Sequence, residues 1–234
     1  MKKRFFAMAS VLIAILMSVS LSAVVRPQGN NPFQLKAFNM ILLTSTGQGE
    51  LSGKTKTAHL AYLDNLASSG KAILVGDISG KGQYRGVIIV DEQPKDKVKE
   101  LASADPAVHS GDLTFNILKW ETDPNAFGMG QAQTPIKMSN YYFEMIQLGP
   151  KFNPQQMQEM GQKHIASVME LMKAGKLVLA GHFDDAGNLA GIFVVKAASA
   201  EEAKSLAESD GTIQAGWLSL AETQPMSVPK GMLK

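Results

Sequence analysis

Apolar and polar positions follow two rhythms along this chain. Residues 38–43 and 141–148 are short apolar runs, and both predict strands. After the first run, His59, Leu63 and Leu66 recur at helical spacing and stop at Ser68-Ser69-Gly70. After the second, Met157, Met160, His164, Val168 and Leu171 do the same and stop at Lys173-Ala174-Gly175. Gly70 and Gly175 stand where a helix takes a left-handed C-terminal residue. Residues 72–76 and 177–181 then predict buried strands, and 86–90 and 191–195 predict two more across glycine-containing turns. A second helix is predicted from Pro94, at a first-turn position, and from Ser199, whose spacing to Glu202 makes a capping box. Leu113, Phe115 and Ile117 alternate as a last strand. The order is β-α-β-β-α-β, a ferredoxin-like unit in an α+β fold.

That unit is written twice. His59 and His164 differ by 105, and so do Gly70 and Gly175, Gly76 and Gly181, Gly86 and Gly191, Asp105 and Asp210, and Gly111 and Gly216. The same spacing carries Phe38-Asn39-Met40-Ile41 onto Phe143-Glu144-Met145-Ile146 with no insertion or deletion. The repeats span 36–120 and 141–225. Residues 121–140, with Pro124, Gly128, Gly130 and Pro135, read as a linker, and 226–234 as a C-terminal tail. Each unit leaves one sheet face apolar, so the two sheets are expected to cover each other about a pseudo-twofold axis. The chain is then a monomer by internal pseudo-dimer, or a weak oligomer.

The first residues follow neither rhythm. Lys2, Lys3 and Arg4 precede an apolar run to about Val19, and small residues lead to Ala23. This is the layout of a signal peptide over 1–23, with a mature start near Val24 and an N-terminal extension over 24–35. A retained N-terminal anchor is the alternative. The expected location is periplasmic or extracellular, with no stable membrane association after the signal is removed. Net charge is +2, and loss of 1–23 leaves a side-chain charge of −1, so nothing suggests nucleic-acid binding. The absence of cysteine excludes disulfides, thiolate metal sites and a cysteine nucleophile.

The residues His59, Gly70-Lys71-Ala72-Ile73-Leu74-Val75-Gly76 and Ala104-Asp105-Pro106, then Gly111, resemble the YCII-related (YciI-like) family. His164, Gly175-Lys176-Leu177-Val178-Leu179-Ala180-Gly181 and Ser209-Asp210-Gly211, then Gly216, repeat the resemblance. It implies the dimeric α+β barrel group, here as an intramolecular pseudo-dimeric barrel of two tandem ferredoxin-like domains. It also implies a pocket centred on a histidine and an aspartate, and some relatives are similar to dehydrochlorinases and lactone isomerases. Ala107 and Thr212 stand where the family often has a tyrosine, and Gly211 replaces the proline.

The candidate catalytic residues are His59 with Asp105 and His164 with Asp210. Each histidine lies on the apolar stripe of its helix, where an imidazole suits a general base. Each aspartate follows a helix end, where the dipole disfavours it, so it needs another purpose. It either orients the imidazole or caps the next turn, and the histidine is either a base or a hydrogen-bonded core residue. Asp77 and His182 occupy matching positions and read as turn residues; His182, Asp184 and Asp185 are a fragment of a metal set that nothing completes. Four methionines on one helix, Met157, Met160, Met169 and Met172, fill core or line an adaptable pocket. Three functions remain open. One is a cofactor-free lyase, isomerase or hydrolase acting on a cyclic or aromatic substrate. Another is a non-catalytic envelope module binding a small apolar ligand or a protein. The third is a degenerate pair with one working copy.

Overall fold

The computed structural model describes residues 33–47, 51, 53–128, 132, 135–184 and 186–234. The expected signal segment, 1–23, lies outside the described residues. Repeat one runs β1 (Lys36–Ser45), α1 (Gly53–Ser69), β2 (Leu74–Ile78), β3 (Tyr84–Asp91), α2 (Lys95–Ser103), α3 (Pro106–His109) and β4 (Leu113–Thr122). Repeat two runs β5 (Met138–Leu148), α4 (Met157–Lys173), β6 (Leu177–Asp184), β7 (Leu189–Val195), α5 (Ala200–Glu208), α6 (Gly211–Gln214) and β8 (Leu218–Pro229). Gly70 and Gly175 end α1 and α4 with φ of 71° and 66°, as their positions after the helical stripes predict.

The strands close into one barrel in the order β1-β3-β2-β8-β5-β7-β6-β4. Each repeat contributes the sheet order of a ferredoxin-like unit, and all pairs are antiparallel. Two seams join the repeats. At one, Asp77 and Ile78 of β2 face Ser227 and Met226 of β8. At the other, residues from Lys119 to Thr122 of β4 face residues from Asp184 to Gly181 of β6. Closure leaves no free sheet edge, which removes the usual route to edge-to-edge aggregation. Backbone approach at the seams is close. A Cβ on Gly76 would stand 2.0 Å from Met226 Cε, and one on Gly181 2.4 Å from the Trp120 ring.

The strand pairing corrects the gapless repeat at both ends. Met40 pairs with Ile89, yet it is Phe143, not Met145, that pairs with the matching Val194. β5 therefore matches β1 two residues earlier than the constant spacing demands, so Ile41 corresponds to Glu144 and Leu43 to Ile146. The bulge between Leu43 and Thr44 recurs between Ile146 and Gln147 and fixes this match. In β8, Met145 pairs with Glu222 and Ile146 with Leu220, so Ala221 is bulged out and the remainder of the strand advances by one. Matching by residue type rewarded recurring Phe and Met residues, whereas hydrogen-bond register follows which face each side chain must occupy.

The predicted edges of the repeats also move. β4 continues to Thr122 and β5 starts at Met138, so both ends of the expected linker are strand. The expected C-terminal tail is not loose: β8 runs to Pro229, and Leu233 bridges to Phe127. Pro94 sits at the N-cap of α2 rather than inside its first turn.

β7 shows how the layers divide. Ile192 and Val194 join a cluster with Phe38, Met40, Trp120 and Phe143, which fills the barrel from both repeats. Phe193 and Val195 point the other way, into a second cluster with Met160, Val168 and Ala203 beneath the helices. The interior cluster is shared, so neither half covers its own sheet. Residues 33–122 and 138–234, produced separately, are expected to self-associate through that face. Two soluble monomeric halves in light scattering would contradict this shared core.

Candidate functional site

Each histidine is aimed inward by its helix. On α1, His59, Leu63, Leu66 and Ala67 are buried together, and on α4 His164 lies between Met160 and Val168 on the stripe facing the sheet. The aspartates serve as N-caps of the short helices α3 and α6. Asp105 Oδ1 accepts the Ala107 N–H at 2.9 Å, while its Oδ2 lies 2.7 Å from His59 Nδ1. Asp210 Oδ1 accepts the Thr212 N–H at 2.8 Å and also the Thr212 hydroxyl, while its Oδ2 lies 2.9 Å from His164 Nδ1. Capping and imidazole contact are therefore not alternatives, because each oxygen does one of them. The residue after a helix end is also the residue before the next helix, where a carboxylate is favoured.

Burial raises the Asp210 carboxyl, but the His164 imidazole, the Thr212 hydroxyl and the Thr212 N–H outweigh it and hold the group below its ordinary value. An ionised carboxylate only accepts, so His164 Nδ1 carries the proton that faces it. In the neutral ring, Nε2 is then a base.

The two pairs differ in what lies in front of them. The His59 side chain is 1% exposed and that of His164 is 33% exposed. His59 Nε2 is buried with no hydrogen-bond partner among the described residues. The space beside His59, bounded by Leu51, Lys56, Asp77 and Arg85, is about 10 Å³, room for at most one water. Beside His164 lies a cavity of about 130 Å³ walled by Leu148, Phe152, Phe193, Trp217 and other apolar groups. His164 stacks on Phe193 with ring centroids 5.8 Å apart and planes 12° apart. A second space of about 150 Å³ adjoins it, walled by Phe33, Leu35, Val168 and Met172 among others.

The cause is legible in paired positions. Lys56, Tyr84 and Arg85 of repeat one correspond to Gly161, Leu189 and Ala190 of repeat two. Arg85 is buried and donates from one guanidinium nitrogen to the carbonyls of Gly82 and Tyr84, both at 2.6 Å. Gly161 lies inside α4, and a Cβ there would meet nothing within 4 Å. A mid-helix glycine costs roughly 1 kcal/mol against alanine, so here helix stability is spent on open space. Comparing the copies at these positions would have located the asymmetry from sequence.

His182 is in β6 and walls both cavities beside His164, so its reading as a turn residue is corrected. Asp77 is likewise in β2, beside the small space. Among the described residues no group of three or more His, Asp or Glu is arranged to hold a metal, and Asp185 lies outside them. Of the α4 methionines, Met157 and Met172 wall one cavity each, Met160 is core and Met169 is exposed. No helix among the described residues is long and apolar enough to cross a membrane.

Comparison with solved structures finds similar folds at low identity. One, described as a novel heme-binding protein from Thermus thermophilus, is 9% identical with a TM-score of 0.49, over 84% of this chain and 93% of that one. Another, a putative monooxygenase from Lactobacillus acidophilus, is 10% identical with a TM-score of 0.46, over 82% of this chain and 92% of that one. Comparison with curated proteins finds no match. The model of the YCII-related domain, however, matches residues 38–121 and again 141–227, the two halves of the barrel, and the chain belongs to that family with its domain present twice.

Proposed function

We propose that repeat two is a small-molecule proton-transfer site for an apolar, ring-containing substrate, and that repeat one is its structural counterpart. The observation that carries this reading is the same His–Asp pair sealed in one copy and open to a cavity in the other. His164 Nε2 takes a proton from the substrate, and Asp210 stabilises the imidazolium that results. Return of that proton to another substrate atom gives an isomerase, and to a leaving group, as its bond to carbon breaks, a lyase; a proton taken from a water instead, whose oxygen adds to a carbonyl carbon while the leaving group departs with the proton, gives a hydrolase. The apolar walls hold the ring by area rather than by hydrogen bonds. We include export through residues 1–23 in this proposal, on the Lys2-Lys3-Arg4 start, the apolar run to about Val19 and the small residues before Val24.

The test converts the open site into the closed one. Phenols, cyclic lactones and chlorinated ring compounds are screened for turnover and for thermal stabilisation. His164→Gln is expected to lower turnover about 10²–10⁴-fold, the usual contribution of a general base. The pair Gly161→Lys with Ala190→Arg, which installs the residues of repeat one, is expected to abolish binding while the circular dichroism stays native. Stabilisation without turnover by any compound would instead favour the ligand-binding module.

A further inference from the structure

The cavity in front of His164 has a second imidazole in its wall. The two cavities beside His164 share Gly161, His164, Gly181 and His182, so they meet at the level of the two histidines. His182 belongs to the face of β6 that carries Ala180 toward the helices, while Leu179 and Phe183 point into the barrel. Its cross-strand partner at the seam is Glu121 of β4, and Glu121 Oε2 lies 3.5 Å from His182 Nε2. The next facing pair, Lys119 and Asp184, is 3.7 Å apart between Nζ and Oδ2. Burial lowers the pKa of His182 and the nearby His164 adds to this, against the pull of Glu121 and Asp184. The equivalent place at the other seam holds Asp77 opposite Ser227, so this second histidine belongs to repeat two alone.

Size and chemistry then define a ligand. An apolar cavity of about 150 Å³ takes one benzene-sized ring. The two spaces here are about 130 and 150 Å³, one ring each. Each histidine has a carboxylate against one nitrogen, which favours the proton there and leaves the other nitrogen an acceptor while the ring is neutral.

We propose that His182, positioned by Glu121 across the barrel seam, is a second substrate-contacting group of this site, and that the fitting ligand is two-lobed. One apolar ring-sized lobe occupies each cavity, and an O–H or N–H donor sits at the waist between His164 and His182. This rests on the reading of His164 as the working histidine. It adds that repeat one contributes a residue, Glu121, to the site of repeat two, so barrel closure completes the site.

Benzhydrol has this shape, with two phenyl rings and a hydroxyl on the carbon between them. Benzyl alcohol lacks one ring and diphenylmethane lacks the hydroxyl. Titrated into the protein by calorimetry, with Trp217 fluorescence reporting the first cavity, benzhydrol is expected to bind at least tenfold tighter than either. Ala180→Leu adds bulk beside the second cavity only, and is expected to bring benzhydrol to the level of benzyl alcohol without changing the latter. His182→Gln is expected to weaken benzhydrol but not diphenylmethane. Glu121→Gln is expected to lower the His182 titration midpoint in NMR, a readout that mere packing would not move. Equal affinities for benzhydrol and benzyl alcohol, or benzhydrol binding indifferent to Ala180→Leu and His182→Gln, would overturn the two-lobed assignment. If His164-dependent turnover of single-ring compounds persists in that case, the proton-transfer reading survives it. If none of the three probes binds and no compound is turned over, both fall.

Discussion

Asp105→Ala is expected to destabilise the protein by about 3 kcal/mol, and Asp210→Ala, made beside Thr212→Ala so that no buried hydroxyl is stranded, by only about 1 kcal/mol relative to Thr212→Ala alone. Both substitutions remove an N-cap, which costs about 1 kcal/mol. They differ in what they leave behind. His59 is sealed, its Nε2 already lacks a partner among the described residues, and loss of Asp105 strips Nδ1 as well. An unsatisfied buried polar group costs about 1–3 kcal/mol, and the space beside this one holds at most one water. His164 is one-third exposed, so solvent in the cavity replaces the lost acceptor. Urea unfolding of the two variants measures the difference directly. Equal losses would mean that the two pairs are equally buried in solution, and the division into a sealed and an open copy would fail. If the proposed proton transfer at His164 holds, the activity effects are expected in the opposite order: turnover falls in the Asp210 variant, and stability in the Asp105 variant.

The second large effect concerns Glu144, which no reading of the sequence singled out. It occupies the place of Ile41 on the face of β5 that carries Ile146 toward the helices, fully buried, with Oε2 lacking a hydrogen-bond partner among the described residues. Thr223 Oγ1 approaches Oε1 at 3.5 Å. Burial pushes this carboxyl up to about 8; the Thr223 hydroxyl opposes the shift and Glu208 of α5 adds to it. In the unfolded chain the group titrates near 4.5. Between that value and about 8 the folded protein holds a proton that the unfolded chain has released. Stability therefore falls as pH rises through this window and levels off above it. The total is on the order of a few kcal/mol. Glu144→Ile, which installs the residue of repeat one, is expected to remove that slope and to raise stability by about 2–4 kcal/mol at pH 9, with far less change at pH 5. Urea midpoints of the two proteins at both pH values test it. Parallel pH profiles would show that Glu144 is hydrated or paired in solution.

Much of this molecule could be read from its residues. Helical stripes ending at Gly70 and Gly175, apolar strands between glycine turns and a repeated order of elements determine two ferredoxin-like units, because periodicity and backbone restriction are local properties. The candidate pairing of His59 with Asp105 and of His164 with Asp210 is legible from the inward stripe, the recurrence in both copies and the family resemblance, whereas the short helices that the aspartates cap are not. The tertiary structure decided the remainder. Register at β5 and β8 depends on hydrogen bonds across strands, so residue-type matching placed Met145 where Phe143 stands and missed the bulge at Ala221. Whether a histidine borders a cavity or is sealed in the core depends on side chains distant in sequence. Lys56 and Arg85 bound the small space before His59, whereas Gly161 and Ala190 leave room before His164. Glu121 reaches His182 only because the barrel closes, bringing residues from two separate repeats onto neighbouring strands. Local sequence sets which elements form and which way they face; the volume in front of a functional group is set by everything that packs around it, and that is a property of the closed barrel alone.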